Sequence, residues 1–132
     1  MDISTGQGAV DGGTQRILSV TSSPVIATWT ELLVSFSTSG DNVVIPHVTG
    51  KTIKVMRMFL VNNGAVGITS TALTFKDSSA NIFTGAFSLV TTGVITHKGD
   101  GEPYYVTGTS ADFVINSSQA VSIAGAIWYE AS

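Results

Sequence analysis

The chain has 132 residues, 11% of them charged, a net charge of −3 and no cysteine. That length fits one domain, and the missing cysteines exclude disulfides and thiolate-ligated zinc. Six Lys plus Arg stand against nine Asp plus Glu, with Lys51, Lys54 and Arg57 as the closest basic grouping, so the phosphate-facing patch that nucleic acid binding needs is missing.

Residues 1–14 are Gly-rich, with Ile3, Ala9 and Val10 as their apolar side chains after Met1. They cannot build a core element and read as an extended N-terminal arm, followed by one β domain over residues 15–132. Residues 1–10 have no basic n-region, so a signal peptide is not expected. Residues 15–21 alternate, with Ile17 and Val20 turned inward, and Pro24 breaks the run. Residues 25–29 and 32–36 read as strands; the β-branched residues of 28–34 argue against a helix there. Gly40-Asp41-Asn42 reads as a turn. Residues 43–48 follow as a strand whose Pro46 suggests a sheet edge or a bulge, because proline donates nothing to a ladder.

Residues 52–61 form the strongest strand. Ile53, Val55, Phe59 and Val61 are expected on one face and Met56, Met58 and Leu60 on the other, a pattern for a strand covered on both sides. Arg57 interrupts it and reads as an arginine snorkelling at an edge, with a buried ion pair as the alternative. Asn62-Asn63-Gly64 reads as a turn. In residues 68–76, Leu73 and Phe75 point inward and Thr74 and Lys76 outward. Short strands follow at 82–83, 87–90 and 94–97, then a tight loop at 98–101, then strands at 104–107, 111–116 and 120–129. In the last of these Val121, Ile123 and Ile127 share a face, and the other face is small until Trp128. Eight to nine strands at this spacing describe an all-β single sandwich, jelly-roll-like in type. No stretch approaches the roughly 18 continuous apolar residues of a membrane span.

Chemistry-bearing residues are few. His47 and His97 fall in no spaced metal-binding pair, and no Gly-x-Ser-x-Gly elbow is present to mark a nucleophile. Asp100 and Glu102 flank Gly101 in the ordinary vocabulary of a turn rather than of a calcium loop. Gly6-x-Gly8 has no strand before it and is no phosphate loop. Trp29, Trp128, Tyr104, Tyr105 and Tyr129 could form a sugar-binding platform, but core packing or a subunit contact explains them better; Tyr104 and Tyr105 would point to opposite faces of one strand. No enzyme activity, cofactor or metal is expected. So low a charge content suits either a surface partly covered by a partner or a Ser/Thr-coated β exterior.

Two stretches carry a resemblance. Gly8-Ala9-Val10-Asp11-Gly12-Gly13-Thr14-Gln15-Arg16-Ile17, continuing to Ser23-Pro24-Val25, resembles a segment of tailed-bacteriophage virion proteins. The second includes Lys54-Val55, Leu60-Val61, Leu73-Thr74-Phe75-Lys76-Asp77 and Phe83-Thr84-Gly85-Ala86-Phe87-Ser88-Leu89. It closes on Val121-x-Ile123-x-Gly125-x-Ile127-x-Tyr129 and looks like the small β-sandwich of phage capsid decoration (cement) and head-fibre proteins. The loop from Lys98 to Tyr105, with its charges and extra tyrosine, departs from the family pattern.

The resemblance implies a homotrimer on the outer capsid surface of a virion, bound to the major capsid protein. It would act by binding energy alone, burying area across joints between capsomers. Ile3, Gln7, Val10, Asp11, Gln15 and Arg16 are the expected capsid contacts. Met56, Met58 and Trp128 are the expected subunit contacts. A tail-fibre domain that binds a receptor or glycan is the alternative.

Overall fold

The structure is a computed structural model that describes residues 29–132. The expected arm, its contact candidates Ile3, Gln7, Val10, Asp11, Gln15 and Arg16, the strand expected at 15–21 and, apart from Trp29, the strand expected at 25–29 lie outside the described residues.

Among the described residues nine strands form: β1 (Thr30–Phe36), β2 (Gly40–Ile45), β3 (Ile53–Gly64), β4 (Ser70–Asp77), β5 (Phe87–Val90), β6 (Val94–His97), β7 (Tyr105–Val106), β8 (Phe113–Ser117) and β9 (Ser122–Ala131). No helix occurs among the described residues. Sheet I has the order β1-β9-β3-β6, with β7 also paired to β3; sheet II has the order β2-β8-β4-β5. Every pairing is antiparallel. The pairs nest: β1 with β9, β2 with β8, β3 with β6 and β7, β4 with β5. A chain folded back on itself in four nested pairs and rolled into two sheets is the jelly-roll order. The strand opposite β3 comes in two pieces, since β6 covers residues 58–61 and β7 covers residues 54–55.

Between the sheets lie Val34, Ile53, Val55, Met58, Leu60, Ile123 and Ile127 from sheet I and Ile45, Leu73, Phe75, Leu89, Phe113 and Ile115 from sheet II. Each such burial is worth about 1.5–3 kcal/mol. Phe75 anchors an aromatic group, standing edge-on to Phe87 at 5.4 Å and to Tyr105 at 5.5 Å. Tyr105 in turn stacks on Phe83 at 5.4 Å.

The faces of β3 are not those its alternation suggests. Trp128 pairs with Arg57 and Tyr129 with Val55, which leaves Met56 as the extra residue of a β-bulge. One inserted residue exchanges the two faces. Ile53 and Val55 therefore share the interior with Met58 and Leu60, while Phe59 and Val61 turn outward. Gly125 of β9 sits where the strands press together, and a Cβ there would run into the carbonyl oxygen of Phe59.

Turns also move. Gly40-Asp41-Asn42 begins β2 instead of forming a turn, and the Asn42 amide donates back to the Thr38 carbonyl at 3.0 Å. Asn62 and Asn63 continue β3, and the chain reverses at Ala65–Ile68. β2 ends at Ile45, immediately before Pro46, and takes the edge of sheet II. Ile82 makes only a single bridge, to Lys76.

Candidate functional site

Alternation along β1, β9, β3 and β6 sends every second side chain out of the sandwich. On the outer face of sheet I the register lines these residues up in rows. One row runs Leu33, Ala126, Phe59, Thr96; the next runs Ser35, Ala124, Val61, Val94. A third holds Glu31, Trp128 and Arg57. The first two rows carry no charge. Leu33 is 78% exposed, Val94 57% and Phe59 40%. The alanines of β9 make a shallow trough between the larger side chains of β1 and β3, and Ala126 is shaded to 3% exposure. At the charged end the Arg57 guanidinium lies 4.6 Å from the Trp128 ring centre, and Phe59 packs against Trp128 at 6.5 Å. Arg57 is thus an exposed cation on an aromatic face, rather than an edge residue or a member of a buried ion pair. Trp29 closes the same end against Gly99, where an added Cβ would lie 2.8 Å from the indole.

The outer face of sheet II differs in kind. Asp41 accepts a hydrogen bond from the Asn116 amide at 2.7 Å and pairs with Lys76 at 3.0 Å. The Asn116 bond, then Lys76, holds the Asp41 carboxyl below its ordinary range. Thr74 shares a row with these groups and Ser88 lies on the same face. Val43, Ile82 and Val90 are exposed on the same side, so that face mixes paired polar groups with apolar ones.

Of the expected subunit contacts, Trp128 is on the outer face of sheet I. Met56 and Met58 are 3% and 1% exposed. The bulge that turns the β3 face puts Met58 in the core and buries Met56, so neither presents a side chain to a partner. Leu33 and Phe59 stand on the surface where the methionines were expected. Pairing of β1 with β9 shows that Leu33 faces out. The sequence carries no such signal for Leu33, since Leu32 and Leu33 are adjacent and either could be the inward one.

The remaining candidates are braces. His47 donates from both its backbone N–H and Nδ1 to Asp112, at 2.7 and 2.8 Å, and these bonds lower the Asp112 carboxyl. The Asp112 N–H donates to Ser78 Oγ at 2.8 Å, which ties three loops together. His97 Nε2 shares a hydrogen bond with the Tyr105 hydroxyl at 2.9 Å, and its ring stacks on Tyr104 at 4.4 Å. Burial lowers the His97 imidazole and raises the Tyr105 phenol, so both are neutral near pH 7. Asp100 accepts from the Glu102 N–H within an exposed turn. The aromatic residues form no common platform: Tyr105 stacks inside the sandwich, Tyr129 packs on the core, and Tyr104 covers His97. No group of three or more His, Cys, Asp or Glu able to hold a metal occurs among the described residues. The groove between β1 and β2, lined by residues 33–36 and 42–44, has a volume of about 150 Å³, and more open depressions of about 530, 490 and 450 Å³ lie around residues 63–69, around residues 129–132, and between Val43, Lys76 and Ile82.

The chain matches no protein-family model, no curated protein and no solved structure.

Proposed function

We propose that the protein is a structural component of a phage virion, a decoration (cement) protein on the outer capsid surface that binds the major capsid protein. The observation that carries this reading is the outer face of sheet I, which presents two uncharged rows with Leu33, Phe59 and Val94 exposed, whereas on sheet II the exposed Val43, Ile82 and Val90 are interleaved with Asp41, Asn116 and Lys76. A contiguous apolar face on a β module marks a contact with another protein. The jelly-roll order is shared by viral shell proteins, lectins and cupins. A cupin works through a cavity inside its barrel, whereas here the interior is filled by Phe75, Phe113 and Tyr105. The sequence resemblance to decoration proteins and the low charge content point the same way.

The mechanism is association alone. Area buried across a joint between shell subunits stabilises the assembled shell by mass action, since the protein binds the closed lattice and not the separated pieces. Oligomeric packing of the chain, a homotrimer by the resemblance, would multiply the contacts with the lattice. Immunogold labelling of the particles encoded with this chain tests the proposal. Labelling spread over the head supports it; labelling confined to the tail, or none, overturns it.

A further inference from the structure

Arg57 stands where the charged end of the outer face of sheet I meets its apolar rows. Its side chain is exposed, yet it is held from two sides. The guanidinium lies 4.6 Å from the Trp128 ring centre, and Trp128 leans on Phe59 at 6.5 Å. Nearer the backbone, Gly99 presses close to the stem. A Cβ added at Gly99 would lie 3.4 Å from Arg57 Cβ and 2.8 Å from the Trp29 ring. Stacking uses the flat face of a guanidinium and leaves the N–H donors along its edge open to an acceptor.

The ion pairs among the described residues are His47 with Asp112 and Lys76 with Asp41, so Arg57 has no carboxylate partner among them. Glu31 shares its row, but Trp128 stands between the two. That places Glu31 two strand spacings away, roughly 10 Å. Glu130 is opposite Lys54 in the next row and offsets that charge instead. The row on the other side of Arg57 carries Leu33, Ala126, Phe59 and Thr96 and no charge.

Resting on the reading that the major capsid protein covers this face, we infer that the capsid surface presents an Asp or Glu carboxylate to Arg57. Covering Leu33 and Phe59 strips water from the guanidinium beside them. A desolvated charge without a partner is strongly unfavourable, and arginine cannot shed its charge by losing a proton. A backbone carbonyl would fill a donor and leave the charge uncompensated. A carboxylate does both, because its two oxygens match the planar fork in a two-point contact. The apolar rows adhere without direction, and a single ion pair at their edge fixes how the sheet sits on the lattice. Such a contact repeats once per copy, whatever the number of copies in the unit.

Association and dissociation rates of the full chain on heads assembled without it test the inference. Arg57→Gln should raise the dissociation rate roughly 30-fold or more. Arg57→Lys, which keeps the charge but not the fork, should raise it roughly 10-fold. Both should keep the β circular dichroism, since the side chain is exposed. On heads treated with a carbodiimide, the amine introduced by Arg57→Lys should become amide-linked to an Asp or Glu of the major capsid protein, read by mass spectrometry. Unchanged dissociation of Arg57→Gln overturns the inference. So does a loss confined to the association rate, the mark of a charge left in water at a rim, and so do crosslinks confined to the other lysines. Leu33→Glu separates the inference from the reading beneath it. If that variant binds as well as wild type, the docking face is wrong and the inference falls with it. If it binds weakly while Arg57→Gln binds normally, the face stands and the carboxylate partner alone is rejected.

Discussion

Asp77 shows how one side chain can hold a loop. It is buried at the end of β4, and its carboxylate accepts from the N–H groups of Ser79, Asn81 and Gly108 and from the Asn81 amide, all at 2.8–2.9 Å. Burial pushes its carboxyl up, but the Gly108 and Asn81 bonds, with that of Ser79, outweigh it and bring the pKa from 3.8 down to about 2. A carboxyl depressed on folding contributes stability that is present above pH 4 and is lost as pH falls through about 2. We expect Asp77→Ala to cost about 3 kcal/mol in urea unfolding at pH 7. We also expect Asp77→Asn to flatten the fall in stability between pH 4 and 2. The same bonds hold Ala80 at φ 79°, a left-handed conformation that costs a residue with a Cβ about 1 kcal/mol. Ala80→Gly should therefore raise the melting temperature slightly, where glycine in an ordinary strand would lower it. His97 supplies a second pH effect. Its imidazole is depressed by burial, so its contribution is intact above pH 6.5 and declines as pH drops below that. His97→Gln should remove that slope from the pH dependence of unfolding.

At the scale of elements, Tyr104, just before β7, and Tyr105, its first residue, separate surface from core. Tyr105 lies between Phe83, Phe75 and Phe113, whereas Tyr104 covers His97 from outside and is 40% exposed. Tyr105→Ala should cost about 3–5 kcal/mol and Tyr104→Ala under about 1 kcal/mol, measured by denaturant titration. This opposition was legible from period-two alternation, as were the inward Leu73 and Phe75 and the small outer face of β9. What alternation could not supply was the break in its own phase. The bulge at Met56 is fixed by pairing with β9, a contact across some seventy residues of chain, and nothing local in Val55-Met56-Arg57 announces it. Both methionines were therefore assigned to a surface, and Phe59 to the wrong side. Turn residues misled for a related reason: Gly40, Asn42, Asn62 and Asn63 have turn chemistry, but long ladders with β8 and β9 carry the strands through them. Tertiary pairing overrides local preference in sheets more readily than in helices.

For the whole molecule, the jelly roll leaves one outer face of mixed polar and apolar groups and one with two uncharged rows, and the latter has no cover among the described residues. Water contact with Leu33, Phe59 and Val94 is unfavourable by about 25 cal/mol per Å², so a module that keeps such a face gains by assembling. The most direct test is incorporation of Leu33→Glu protein into particles, compared with wild type after confirming equal melting temperatures. The account predicts that occupancy of the variant falls at least about tenfold; equal occupancy would contradict the claim that the protein acts through the outer face of sheet I.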